Sequence, residues 1–288
     1  MTATSHIRQK KTTFRLLAPG VVWMILFLIA PIMMIVYVSF WTQTTFAINS
    51  SLTLDSWKNF FASEAYVGAL WTTIRLWLIV LTLTFVIGYP AALYVGLMVK
   101  SKTISTVLLV LCVIPFWTSF LIRVLAWRPM LGKEGAINII LLKAGIIHTP
   151  IEVLLFSELS VIIGMTQIYV VFMVGPIAFM LGRIDHNIIK AARDLGAGFG
   201  RIFWKIIFPL SLPGVVVGAI FVSVMVLGEF ATSGALSGRK VNLLGNIIVT
   251  QVGSLKWAMA SVVGVILTIL LGIVVAGFLR IVDLKREI

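Results

Sequence analysis

A polytopic, all-α membrane protein with six spanning helices is the fold class this sequence predicts, and three observations carry the prediction. The 288 residues are 60% hydrophobic and 11% charged, with a mean hydropathy of +1.10, far too apolar for a soluble domain. The apolar residues fall into runs of about 20 or more, the length a helix needs to cross a bilayer. Lys and Arg gather in alternate connecting segments, as expected where one side of a membrane retains positive charge. A formal charge of +13 could suggest nucleic acid, but no soluble basic domain or aromatic reading surface is present to use it. The lone Cys112 lies inside an apolar run, so there is no disulfide framework, and a packed thiol is expected.

Taken in order, residues 1–15 are polar and basic, with Arg8, Lys10, Lys11 and Arg15, and lead into an apolar run from Leu16 to Phe40. That run is too long for the hydrophobic region of a signal peptide, holds Pro31 and lacks a small-residue cleavage site, so an uncleaved first span is expected. Residues 41–68 turn polar and hold Trp41, Trp57, Phe60 and Phe61, as suits a segment at the membrane interface. Second and third spans are expected over residues 69–99 and 103–127; only Lys100, Ser101 and Lys102 part them, so they must run antiparallel. Within the second, Gly88, Ala92 and Gly96 recur every four residues, a stripe that admits a neighbouring helix backbone at close range. Residues 128–159 contain Gly132, Gly135 and Pro150 and are expected to hold a short interfacial helix around Ile137–Ala144. The fourth, fifth and sixth spans are expected over Ser160–Leu181, Pro209–Glu229 and Ala258–Ile281, with residues 230–257 polar. The sixth carries small residues at Gly264, Thr268, Gly272 and Ala276.

If the amino terminus is cytoplasmic, the inner segments hold 14 Lys and Arg over 54 residues and the outer ones 7 over 88. The expectation is therefore a single transmembrane domain over residues 1–288, with both termini and residues 182–208 in the cytoplasm. Residues 182–208 are the only long charged segment between two apolar runs. Asp185 or Asn187 can cap a short helix with Ile188, Ala192 and Leu195 on one face and Lys190, Arg193 and Asp194 elsewhere, ended by Gly196. A second short helix is expected after Gly200, with Ile202, Phe203, Ile206 and Ile207 as an apolar stripe that stops at Pro209. Helix, sharp turn and helix at a membrane surface make a rigid projection for a soluble partner; the plainer alternative is an ordinary basic loop packed through its small residues.

At these positions the sequence resembles a known family. Ala191, Ala192, Gly196, Ile206 and Pro209 sit at the spacing of the "EAA" loop of ABC-importer permeases, with Lys190 where that family has Glu and Phe208 where it has Leu. The stretches "LLAPGVVWMILFLIAPI", "IGYPAALYV", "IPFWTSFLIRVLAW", "AARDLGAGFGRIFWKIIFPLSLPG" and "LGEF" look like successive signatures of the spermidine/putrescine-type subfamily, its B-type subunit. The resemblance implies a type I importer fold and a set of partners: a second, related permease, two ATP-binding subunits and an external solute-binding protein. It further implies that Ala191, Ala192, Arg193, Asp194, Leu195, Gly196 and Ala197 couple the chain to the ATPase, and that ATP and Mg are bound by that partner.

No phosphate-cradling loop G-x-x-x-x-G-K-[ST] occurs, so ATP must be held by another polypeptide. His6, His148 and His186 are too scattered in sequence for a metal site, and no nucleophile elbow or paired intramembrane carboxylates suggest a hydrolase. No cofactor is expected in this chain. Three ionisable groups remain at membrane depth, Arg75, Arg123 and Glu229, all toward the outer side, where charges face a cavity, pair with one another or snorkel to headgroups. Trp117 and Tyr169 are candidate aromatic walls of the same path, although a place in the membrane core is the role expected first of each.

The expected function is therefore the inner-membrane permease subunit of an ATP-driven importer of a small hydrophilic organic solute, a polyamine first, working by alternating access. An anionic organic solute of the same subfamily is the alternative. An ion-coupled secondary transporter would normally show an internal repeat, broken helices and a midplane ion site, and a purely structural membrane scaffold would carry no solute.

Overall fold

A computed structural model describes residues 17–43, 48–99 and 101–281. The expectations for the basic segment 1–15, for Lys100 and for the tail beyond residue 281 lie outside the described residues. Five described helices are long and apolar enough to cross a membrane: α1 (Leu17–Val38), α3 (Glu64–Met98), α8 (Glu158–Leu181), α10 (Phe199–Leu227) and α13 (Trp257–Ile281). The expected third span is not one straight helix. Lys102–Trp117 (α4) and the stretch Phe120–Lys143 meet at 94°, and counting this bent pair as one span restores the six. Pro115 supplies the physical reason: it has no N–H to continue the helix, the last turn tightens to a 3₁₀ turn over Ile114–Trp117, and Thr118 and Ser119 are extended. The chain then restarts as α5 (Phe120–Leu125), α6 (Trp127–Leu131) and α7 (Ala136–Lys143), the last being the expected short helix.

The residues group into two compact units. One comprises the residues up to Ser63 together with Thr250–Ile266. It contains α1, α2 (Asp55–Ala62) and a hairpin the sequence reading did not anticipate, β1 (Trp41–Gln43) with β2 (Ile48–Leu52), antiparallel and bulged between Trp41 and Thr42. Thr42 donates its hydroxyl to the Ser51 carbonyl at 2.9 Å, and Phe40 stacks on Trp57. Side chains along α1 are exposed nearly throughout, as suits a helix whose solvent is lipid.

The other unit runs over Glu64–Val249 and from Leu267 onward, and its core is built where α3, α8 and α10 pack together. The Gly88, Ala92, Gly96 stripe serves as expected. A Cβ on Gly96 would stand 2.6 Å from the Ala178 carbonyl oxygen and 2.9 Å from Leu181 Cβ, so only glycine lets α3 and α8 approach this closely. Polar ties span the bundle: Trp77 Nε1 donates to Ser223 Oγ at 2.8 Å, Tyr89 shares a hydrogen bond with Ser211 at 2.8 Å, and the Leu244 N–H at the start of α12 (Leu244–Gly253) donates to Thr73 Oγ1 at 3.0 Å. Such bonds hold better in an apolar surround, because water cannot replace them.

The second short helix of the 182–208 segment does not stop at Pro209. It begins at Phe199, passes through a π turn over Phe203–Ile207, and continues into the fifth span. The wider turn lets the Phe208 N–H reach the Phe203 carbonyl, and Pro209 then falls at the start of the next α segment, where its missing donor is tolerated.

Candidate functional site

The projecting helix of the 182–208 segment is α9 (His186–Asp194). Of the two candidate caps it is Asp185 that serves, its carboxylate accepting from the Asn187 N–H at 2.9 Å. The helix ends in a Schellman arrangement: the Gly196 N–H donates to the Arg193 carbonyl at 2.8 Å and the Ala197 N–H to the Ala192 carbonyl at 3.0 Å. Gly196 has φ +79°, which a residue with a Cβ adopts at a cost of about 1–2 kcal/mol.

The apolar residues of α9 divide between the core and the surface. Ile189, not Ile188, is buried, and Ala192 and Ala197 pack on the core beside it. Ile188 and Leu195 point outward, Leu195 88% exposed, next to the exposed Ala191, Arg193 and Asp194. One face of the helix thus anchors the loop while another presents bare apolar side chains, an arrangement that fits a partner.

At the opposite end of the bundle, Glu229 follows the end of α10 and is 5% exposed. Its carboxylate accepts a 2.7 Å hydrogen bond from the Thr232 N–H, at the start of α11 (Ala231–Leu236), and a second from the Tyr169 hydroxyl in the middle of α8. The rest of α11 is tied down as firmly. Arg128 donates to the Ala235 carbonyl through Nε at 3.0 Å and Nη2 at 2.8 Å, and Ser160 Oγ donates to the Leu236 carbonyl at 2.8 Å. Sequence reasoning missed Thr232, Arg128 and Ser160, whose roles depend on the short α11 folding back beside α8.

The reading in which Glu229 pairs with Arg75 or Arg123 is corrected by their partners. Arg75 bonds to Glu158 at 2.5 Å, at the first turn of α8. Arg123 lies over the Phe116 ring, 4.6 Å from its centroid, and its Nε is buried with no hydrogen-bond partner. Glu229 is therefore held by two neutral donors. Hydrogen bonds to a charged group contribute about 1.5–3 kcal/mol each, whereas removing a carboxylate from water costs several, so the pair offsets that cost without giving the charge a counter-ion. Tyr169 is buried, whereas Trp117 is 84% exposed. A cavity of about 520 Å³ lies between α4, α8 and α10, lined by Leu109, Cys112, Phe116, Phe172, Phe179 and Phe221 among others, and is too apolar to pass a hydrophilic solute.

A bundle of spanning helices with a bent third span, and a capped amphipathic helix projecting from a basic loop, define a membrane permease of the type I importer architecture. The chain belongs to the family of binding-protein-dependent transport system inner membrane components, whose model matches residues 85–288, and it groups with the spermidine/putrescine-type ABC-importer permeases. It is 32% identical over 260 residues to the spermidine/putrescine transport system permease protein PotB of Haemophilus influenzae, covering 90% of each chain. It is likewise 32% identical to PotB of Escherichia coli K12, over 90% of this chain and 93% of that one. Among solved structures, a bacterial ABC transporter involved in importing the acidic polysaccharide alginate superposes with a TM-score of 0.74 over 98% of both chains at 17% identity, a likeness of fold. The same type of transporter, solved with an alginate pentasaccharide-bound periplasmic protein, gives a TM-score of 0.71 over 96% of both chains at 16% identity. The chain is thus a multi-pass inner-membrane permease of an ABC import system that works with a solute-binding protein.

Proposed function

We propose that the cargo is a polyamine, moved into the cytoplasm by alternating access. The observation that carries this reading is the kinship with spermidine/putrescine permeases along nine tenths of the chain. Glu229 supports it: a buried carboxylate with two neutral donors and no cation within ion-pairing distance among the described residues is a place where an ammonium group supplies the missing charge. Because the chain has too few helices to form a pathway alone, it works beside a second, related permease. Two ATP-binding subunits hold ATP and Mg and dock on the outward face of α9, where Leu195 and the turn at Gly196 are presented. Both termini and the 182–208 segment then lie in the cytoplasm, in accordance with the excess of Lys and Arg on that side.

The test is to reconstitute the complex with its solute-binding protein and measure which solutes stimulate ATP hydrolysis. Stimulation by spermidine or putrescine is expected. Stimulation by an organic anion instead would overturn the polyamine and turn attention to Arg123, the cation at this depth whose Nε lacks a partner. Crosslinking should capture a non-identical permease neighbour, and an active complex with this chain as sole permease would overturn the heteromeric pathway.

A further inference from the structure

The 94° bend after Pro115 folds the chain back on itself, so that the Arg123 guanidinium on α5 lies over the ring of Phe116 in the turn that ends α4, 4.6 Å from its centroid. The contact leaves the cation incompletely satisfied. Arg123 Nε is buried without a hydrogen-bond partner, the Phe120 ring stands at 6.0 Å, the outer limit of a cation–π contact, and among the described residues no carboxylate pairs with Arg123. Glu229 is incomplete in the opposite sense, a buried carboxylate held by two neutral donors without a counter-ion. Two contacts bring these groups into one neighbourhood. Phe116 meets Phe172 edge-on at 5.0 Å, and Phe172 lies one turn along α8 from Tyr169, whose hydroxyl bonds Glu229. On the other side α5 packs against α11, which opens two residues after Glu229. The Arg123 charge accordingly acts on the Tyr169 hydroxyl.

We propose that Arg123 sets the affinity of the Glu229 site as a tethered cation with two resting places, the Phe116 ring and the Glu229 carboxylate. The structure shows the first. With Arg123 on the ring, the carboxylate is open to an ammonium of the cargo, a step that rests on the reading of the cargo as a polyamine. With Arg123 on the carboxylate, the two incomplete groups satisfy each other and the cargo is refused. A cation–π contact and a charge-assisted hydrogen bond are close enough in strength for the exchange to run both ways, because the ion pair must also offset the desolvation of its charges. The apparent affinity for cargo is then the intrinsic affinity reduced by the fraction of time that Arg123 spends on the ring.

The experiment is equilibrium binding of spermidine to the purified complex without its solute-binding protein, so that the Kd reports the permease site, together with thermal unfolding of the same complex without cargo. With the two resting places near balance, Arg123→Gln removes the rival cation and should tighten binding about twofold, whereas Phe116→Leu, which weakens the ring contact about fivefold, should loosen it about threefold. The opposite signs are the signature. A ring stack that merely holds the bend in shape would loosen binding in both variants, and that result, or no change in either, overturns the proposal. The double variant should behave as Arg123→Gln alone, because the ring matters only through the cation; a double variant as weak as Phe116→Leu would count against the exchange. Without cargo, Glu229→Gln should lower the unfolding temperature further in the Phe116→Leu background, where Arg123 has moved onto the carboxylate, than in the native one. Equal shifts in the two backgrounds would sink the exchange whatever the cargo is. Absence of spermidine binding to the native complex, with the difference in shifts intact, would overturn the polyamine and support the exchange.

Discussion

The Tyr169 hydroxyl, from the middle of the fourth span, donates its hydrogen bond to the Glu229 carboxylate, which follows the end of the fifth. The same carboxylate accepts from the Thr232 N–H, so one side chain ties the fourth span, the fifth span and the short helix beyond it. In Glu229→Gln the amide oxygen can still accept from the Thr232 N–H while the amide NH2 donates to the Tyr169 hydroxyl, so membrane insertion is expected to be kept while the charge is lost. If an ammonium meets this group, affinity for the polyamine should fall about 10- to 150-fold, the equivalent of roughly 1.5–3 kcal/mol. Normal uptake at normal expression would remove Glu229 from the substrate path.

Tyr169→Phe probes the other half of the pair. It leaves a buried carboxylate short of one donor, which costs about 1–3 kcal/mol, and a lower unfolding temperature of the purified complex is expected. An unchanged temperature would mean that water or another group replaces the hydroxyl.

Gly196→Pro removes the N–H that reaches the Arg193 carbonyl and forbids φ +79°. The variant should insert normally and fail to transport, because the end of α9 can no longer close its turn. Transport at the ordinary rate would show that this turn is not what links the chain to ATP hydrolysis.

Leu195→Ala tests whether the exposed side chain is covered in the complex. Burying a leucine contributes roughly 1.5–3 kcal/mol, so co-purification of the ATPase should weaken about 10- to 150-fold, with the permease itself unaffected because Leu195 is 88% exposed within it. Undiminished co-purification would place the contact elsewhere on the loop.

Gly96→Ala and Gly272→Ala form a matched pair. The first drives a methyl group into the Ala178 carbonyl and should destabilise the bundle by about 1–3 kcal/mol. The second meets nothing within 4 Å and should leave thermal stability unchanged. Equal effects would mean that α3 and α8 do not pack as closely as described.

Much of this was legible in the sequence because a bilayer imposes length and polarity at once. The first, second, fourth, fifth and sixth spans could be found from hydropathy alone, and the Asp185 cap and Gly196 stop could be read from residue types with one local use. Boundaries failed where a proline could mean either a stop or a first turn. Pro209 was taken as an end, but a π turn carries the helix through it, whereas Pro115 was passed over inside an apolar run and marks a 94° bend. The stripe Ile188, Ala192 and Leu195 was legible on α9, but that it is Ile189 beside it that meets the core depends on the packing of the loop and not on the stripe. Glu229 stood out as a lone acid at depth, but its partners Tyr169 and Thr232 are 60 and 3 residues away, one of them a backbone group invisible to any side-chain pattern.

The exposure of α1 bears on how the chain is made. Its side chains face outward almost all round, so lipid alone can satisfy it. With Leu, Ile, Phe and Val each contributing about −0.3 to −0.6 kcal/mol to membrane insertion, α1 can settle in the bilayer without waiting for α3, α8 and α10 to pack. A substitution along α1 is thus felt by the surrounding lipid rather than by the packing of the other spans.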